Sequence, residues 1–271
     1  MTDKSELDLA AYLQRTGYVG DIAPTRQALE ALHLAHATRI PFENLDIQLG
    51  KPIALDLASL QAKLVGQRRG GYCFEHNLLF AAVLREFGFG VTQLAARVRY
   101  GTTAVLPRTH MLLLVDVEGG RWLADVGFGG EGLLLPVPFG TGEEVRHYAW
   151  RYRAIEEAGA TWVLQSSRDK VWHDLYAFTL EPQQAVDYEV VNHYLTTHPN
   201  SRFVQTLTVQ LPGPQKRMIL RNRKLVEDRG AGVKLESRML ADDDELLCVL
   251  QQSFGLGFPP GTRFRAGHDP N

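Results

Sequence analysis

Residues 67–90 read QRRGGYCFEHNLLFAAVLREFGFG. The paired glycines Gly70 and Gly71 end whatever precedes them, and from about Tyr72 to Phe87 apolar residues recur at helical spacing until Gly88 stops the run. This predicts a strongly amphipathic helix with Cys73 in its first turn. Unpartnered backbone N–H groups and the positive end of the helix dipole stabilise a thiolate there, and the guanidinium groups of Arg68 and Arg69 are expected to help. A thiolate so placed is suited to carry an acyl group as a thioester. The bland alternative for any cysteine is a small buried hydrophobe. Cys248, at apolar helical spacing inside DELLCVLQQSF, takes that reading; the double glycine gives Cys73 the other.

Upstream, Pro24 and Thr25 open TRQALEALHLAHATRI, in which Leu29, Leu32, His33 and His36 share helical spacing up to a stop at Pro41. A second helical stretch is expected from a capping Ser59 to Gly66. His33 and His36 lie three apart but lack a third ligand at recognisable spacing, so they are read as part of a helix face and no metal is expected.

Downstream of Gly90 the pattern changes to strands. VTQLAARVRY, HMLLLVDV and RWLADVGF come first, the last two joined through Glu118-Gly119-Gly120 as a hairpin. VRHYAWRYRAI, ATWVLQSS and VWHDLYAFTL continue an antiparallel meander consistent with a small barrel. From about Gln183 a helix (QQAVDYEVVNHYLTTH), strands in RFVQTLTVQL, RMILRNR and GVKLESRML, and a final helix DDDELLCVLQQSFG follow. Asp242 to Asp244 suit the positive end of that helix and Gly255 its exit. The fold class is α+β: helices to residue 88, a β-barrel over 89–182, and an α/β piece over 183–271.

A nucleophilic cysteine needs a base and the base an orienting partner. His110 opens HMLLLVDV and Asp125 lies in RWLADVGF. With the turn at Glu118-Gly119, paired residue numbers sum to about 237, which places His110 opposite Gly127 and Asp125 diagonal to His110 on the same face. An aspartate between Ala124 and Val126 in an apolar strand needs a partner. His76, three residues after Cys73, is a rival base by proximity, but side chains at i and i+3 point outward in parallel and no acid is at hand to orient it. The glycines from Gly127 to Gly132 let backbone amides approach an anion, or simply bend a barrel strand.

The whole chain sets outer limits. It has 271 residues, 45% apolar and 22% charged, enough to bury a core around a site. With 29 basic and 31 acidic residues it has no field to hold nucleic acid. No run approaches the roughly 18 to 20 apolar residues of a membrane span. The opening MTDKSELDLAAYLQRTG lacks a basic-then-apolar leader pattern, and two cysteines make no disulfide framework, so a cytoplasmic enzyme is expected.

Four blocks together, RGGYCFE at 69–75, IPFENLD at 40–46, RTH at 108–110 and DVGFGG at 125–130, resemble the arylamine N-acetyltransferases, including those that O-acetylate N-hydroxyarylamines. The resemblance runs along essentially the whole chain. It implies a helical domain bearing Cys73, a barrel bearing His110 and Asp125, and an α/β lid, around a cysteine-protease-like core. It also implies acetyl-CoA as donor, a ping-pong reaction, and an arylamine, arylhydrazine or N-hydroxyarylamine as acceptor. Phe42 and Phe128 match aromatics of the acceptor pocket, although Phe42 behind Pro41 reads equally as core. Gly127, Gly129 and Gly130 match the loop near the CoA phosphates. A thiol hydrolase or a transglutaminase-type acyl transferase would use the same triad order and is the alternative.

Overall fold

A computed structural model describes residues 7–266 of the chain; the first six residues, on which part of the leader reading rests, lie outside it. The helical part begins with α1 (Leu9–Thr16), capped by Asp8, and α2 (Arg26–Arg39), capped by Thr25 and stopped before Pro41. A two-residue strand β1 (Phe42–Glu43) and two short helices, α3 (Leu45–Gln48) and α4 (Leu57–Leu60), follow. The cap at this last helix is Asp56 and not Ser59. Its carboxylate accepts from the Ser59 N–H at 2.9 Å, starting the helix two residues earlier than expected, and the chain then passes into a π-helical segment, Gln61–Gly66.

Helix α5 (Cys73–Glu86) occupies the position predicted for it but is not two-faced. Cys73, Phe74, Glu75, His76 and Asn77 are all buried, because helices cover one side of it and the sheet the other. A helix enclosed on all sides needs no polar stripe.

Eight strands form a nearly closed antiparallel barrel: β2 (Gly90–Val98), β3 (Arg108–Val117), β4 (Gly120–Ala124), β5 (Val137–Pro138), β6 (Val145–His147), β7 (Trp150–Glu157), β8 (Thr161–Arg168) and β9 (Val171–Phe178). Their order is β5-β4-β3-β2-β9-β8-β7-β6. VRHYAWRYRAI is not one strand. It folds back at Tyr148-Ala149, with Tyr148 at φ 58°, so that His147 pairs with Trp150. In β3 the odd-numbered Met111, Leu113, Val115 and Val117 pack on the helices while Leu112 and Leu114 fill the barrel. That two-sided burial explains why HMLLLVDV is apolar at nearly every position instead of alternating.

The remaining elements are α6 (Ala185–Thr197), α7 (Arg202–Gln205), β10 (Thr208–Pro212), β11 (Arg217–Arg221), β12 (Lys224–Asp228), β13 (Glu236–Met239) and α8 (Asp243–Phe254). RFVQTLTVQL is split: Ser201 accepts from the Phe203 N–H at 3.2 Å and turns Arg202–Gln205 into helix, leaving only the second half extended. Strand β12 is an addition, joined to β11 through a tight turn in which Asn222 has φ 49°. The sheet runs β1-β10-β11-β12-β13, so Phe42–Glu43 lends the C-terminal sheet its edge. Cys248 is exposed, contrary to expectation: α8 buries Leu246, Val249, Leu250 and Phe254, and position 248 falls on its outer side. No helix among the described residues is long and apolar enough to cross a membrane.

Candidate active site

Cys73 is the first residue of α5 and is almost fully buried. The carboxylate of Glu75 accepts the Tyr72 N–H at 3.0 Å, closing the helix start around the sulfur. The Sγ atom lies 3.6 Å from the carbonyl oxygen of Thr109, the residue before His110. The arginines do not serve the thiol as anticipated. Arg69 donates from Nε and Nη2 to Glu43 Oε1 at 3.0 and 2.6 Å and from Nη1 to Asp46 Oδ1 at 3.2 Å, while Arg68 is exposed. With its charge matched by two carboxylates, Arg69 pins the loop before the helix. Gly70 is needed there because a Cβ would stand 1.9 Å from the Pro41 oxygen.

The hairpin ladder pairs Leu113 with Ala124 and Leu114 with Leu123, which is the register of sum 237. It stops at Ala124, and just beyond its end the Asp125 side chain meets His110, Oδ2 to Nε2, at 2.7 Å. The other carboxylate oxygen accepts from Asn77 Nδ2 at 3.0 Å and from the Gly127 N–H at 2.9 Å. Burial pulls the His110 pKa down, but the charge and hydrogen bond of Asp125, aided by the Cys73 side chain, outweigh it and push it up to about 10. Burial raises Asp125, and the His110 charge with three hydrogen bonds brings it below the usual carboxylate range. The ring nitrogen of His110 not used by Asp125 is Nδ1.

The other histidines of the helical core are structural. His33 Nδ1 donates to the Leu134 carbonyl at 3.1 Å and Nε2 accepts the Asp125 N–H at 3.1 Å, a pattern that requires the neutral ring; burial holds its pKa at about 4. His76 donates from Nε2 to the Pro41 carbonyl at 3.2 Å, which leaves Nδ1 to accept from His36 Nε2 at 2.8 Å, and His36 Nδ1 in turn accepts from the Tyr12 hydroxyl at 2.8 Å. Since a carbonyl only accepts, the direction of this whole chain is set from its Pro41 end. His76 is thereby occupied. Among the described residues no group of three or more His, Cys, Asp or Glu is placed to hold a metal ion.

A cavity of about 400 Å³ opens onto Cys73 and His110, with Phe42, Gly127, Phe128 and Phe203 among its walls. Phe128 meets the His110 ring edge-on at 5.1 Å between centroids, and Phe42 lies against His76 and Phe203, so Phe42 is both wall and core. Gly129 and Gly130 are not on that wall. They pass behind it against Gln210, whose Oε1 accepts the Gly130 N–H.

A protein-family model described as N-acetyltransferase matches residues 25–261. An arylamine N-acetyltransferase of Escherichia coli K12 is 41% identical over 249 residues, covering 91% of this chain and 88% of the relative. The chain belongs to the arylamine N-acetyltransferase family. A Salmonella typhimurium protein named arylamine N-acetyltransferase / N-hydroxyarylamine O-acetyltransferase is 43% identical, covering 86% and 83% of the two chains. Among solved structures, the Nocardia farcinica arylamine N-acetyltransferase superposes with a TM-score of 0.88 at 40% identity, covering 95% of this chain and 92% of that one. The Mycobacterium marinum arylamine N-acetyltransferase in complex with CoA superposes with a TM-score of 0.87 at 36% identity, each chain covered to 92%.

Asn77, Tyr176 and His33 are residues at the site of this arylamine N-acetyltransferase homologue that its sequence motifs do not single out. Four residues after Cys73, Asn77 emerges from the same helix face, and a polar residue there within an apolar run was the available signal. Tyr176, packed on His110 at 4.8 Å, and His33 come from elements whose approach to the hairpin no local pattern reveals.

Proposed function

We propose that the protein transfers an acetyl group from acetyl-CoA, through a thioester on Cys73, to an arylamine, an arylhydrazine or an N-hydroxyarylamine, with Cys73, His110 and Asp125 as the catalytic triad of a cysteine-protease-like core. The observation that carries the reading is the buried His110–Asp125 hydrogen bond of 2.7 Å, opening onto the same cavity as the sulfur at the start of α5. In the first half-reaction the Cys73 thiolate attacks the thioester carbonyl. The bond from carbonyl carbon to CoA sulfur breaks, and CoA leaves with a proton available from the His110 imidazolium. In the second, the nitrogen or hydroxylamine oxygen of the acceptor attacks the acetyl-cysteine, the Cys73 sulfur leaves as thiolate, and His110 takes the acceptor's proton. Asp125 holds the ring and stabilises its charge.

Phe42 and Phe128 form the apolar acceptor wall, suited to a flat ring. Gly127, Gly129 and Gly130 shape the loop on the donor side, Gly127 at the cavity and the other two by letting the loop pass tightly over Gln210. We also read the chain as three units, 1–88, 89–182 and 183–271. The apolar cluster inside the barrel, whose buried members all fall within 89–182, supports the middle unit; the other two clusters cross the boundaries, Tyr188 and Leu195 joining the helical one and Leu45 the one under α8. Two free cysteines and no membrane-spanning helix among the described residues support a cytoplasmic setting.

Intact-protein mass spectrometry after acetyl-CoA alone tests the reading. The expected result is one added acetyl group, lost in Cys73→Ala and discharged by an arylamine with formation of the acetylated amine. Full-rate CoA release without any amine would instead assign a hydrolase.

A further inference from the structure

A donor such as CoA carries several phosphate charges, and something at the cavity must meet them. The glycine loop is poorly placed to do so. The Gly127 N–H is given to Asp125 Oδ1 at 2.9 Å, the Gly130 N–H to Gln210 Oε1 and the Gly132 N–H to the Gly129 carbonyl at 2.9 Å. An amide already donating inside the fold has no proton to offer a phosphate.

The cavity wall supplies another solution. Its two basic side chains other than His110 are Arg202, in α7, and Arg221, at the end of β11. Both are exposed, so they stand at the mouth and not beside the buried sulfur. Neither side chain forms a hydrogen bond or an ion pair among the described residues. This sets them apart from their neighbours: Arg99 is held by Glu157 and Asp174, Arg168 by Asp228 and Arg217 by Glu131. The acid on the wall, Glu131, is already engaged by buried Arg217 and by the Tyr100 hydroxyl, and does not cancel the two free guanidinium charges. A guanidinium presents paired N–H donors that match a phosphate's oxygens.

We propose that Arg202 and Arg221 form an anion subsite at the cavity mouth that holds the phosphate groups of the donor while its thioester reaches Cys73. This rests on the acetyl-CoA reading above. A long pantetheine arm separates thioester from diphosphate, which suits a reactive end that is buried and a cationic end that is open to solvent.

The experiment compares two donors, acetyl-CoA and the phosphate-free thioester S-acetyl-N-acetylcysteamine, by the rate of acetyl loading on Cys73 in wild type, Arg202→Gln, Arg221→Gln and the double variant. Both side chains are exposed and without side-chain partners among the described residues, so the folded state tolerates these changes, and a thermal midpoint checks it. Loss of a charge-assisted contact lowers the ratio of acetyl-CoA to cysteamine-thioester efficiency by about tenfold per arginine. Arg→Lys variants recover part of it, and added salt reduces it in wild type but not in the double Gln variant. An unaltered ratio in the double variant overturns the proposal. So does an unchanged loading ratio with slower discharge of the acetyl-enzyme to a carboxylated acceptor such as 4-aminobenzoate, which would make the subsite one for the acceptor. Failure of wild-type protein to load acetyl from either donor would overturn the underlying reading instead.

Discussion

Asn77 Nδ2 donates at 3.0 Å to the same carboxylate, Asp125, that orients His110, and it does so from the helix that carries Cys73. The same Nδ2 donates to the Met111 carbonyl at 2.8 Å, and Asn77 Oδ1 accepts the Val126 N–H at 3.2 Å. One buried amide therefore ties the helix that carries Cys73 to the backbone next to His110, to the Asp125 carboxylate and to the backbone just after it. Positioning groups of this kind have effects far beyond their own contact energy.

Asn77→Leu keeps the approximate volume and removes all three hydrogen bonds. Acetyl loading of Cys73 is expected to fall about 10- to 100-fold, and the pH profile of iodoacetamide labelling to shift as Asp125 loses its fixed orientation. A profile identical to wild type would show that the helix and hairpin align without it.

The His110–Asp125 pair makes stability depend on alkaline pH. The folded pKa of His110, about 10, lies above the unfolded reference of ~6.5, so its contribution is complete below the reference and is lost as pH rises through about 10. Urea unfolding from pH 7 to 10 should show stability descending by up to about 1.4 kcal/mol per pH unit from this group. Asp125→Asn should flatten that descent; equal slopes in the two proteins would mean the pair is not charged.

Acid acts through the other histidines. His33 and His76, both at about 4, and His36, well below its ordinary value, are kept neutral by burial and by acceptor roles in their hydrogen bonds. The unfolded chain binds protons there from about pH 6.5 downward while the folded one does not, so stability falls as pH drops toward about 4. The number of protons taken up on unfolding at pH 5 should decrease by about one in His76→Gln. Calorimetric unfolding in buffers of different ionisation enthalpy measures it.

Gly127 is set by proximity. A Cβ there would stand 2.8 Å from Cys73 Cα and 2.9 Å from the Cys73 carbonyl oxygen, backbone atoms that cannot withdraw without moving α5. Gly127→Ala is expected to cost about 1–3 kcal/mol of stability and to abolish most acetyl loading. Near-normal kinetics in that variant would mean the hairpin end is more yielding than its packing implies.

Much of this protein is legible locally. The cap at Thr25, the double glycine before Cys73, the Glu118–Gly119 turn and the Asp242–Gly255 limits of the last helix all follow from residues adjacent in sequence, because caps and turns satisfy backbone groups with near neighbours. From the turn alone the register of sum 237 follows, and with it the meeting of His110 and Asp125. Local patterns fail where a distant element supplies the partner. Arg69 reads as a helper for the thiol until Glu43 and Asp46 arrive to claim it, and His76 as a free base until Pro41 and His36 occupy both ring nitrogens. Asn77 and His33 converge on Asp125 from two separate helices. Charge neutralisation and hydrogen-bond saturation are properties of space, not of chain order, so which polar groups remain free to do chemistry was settled only when helices, barrel and C-terminal sheet packed together.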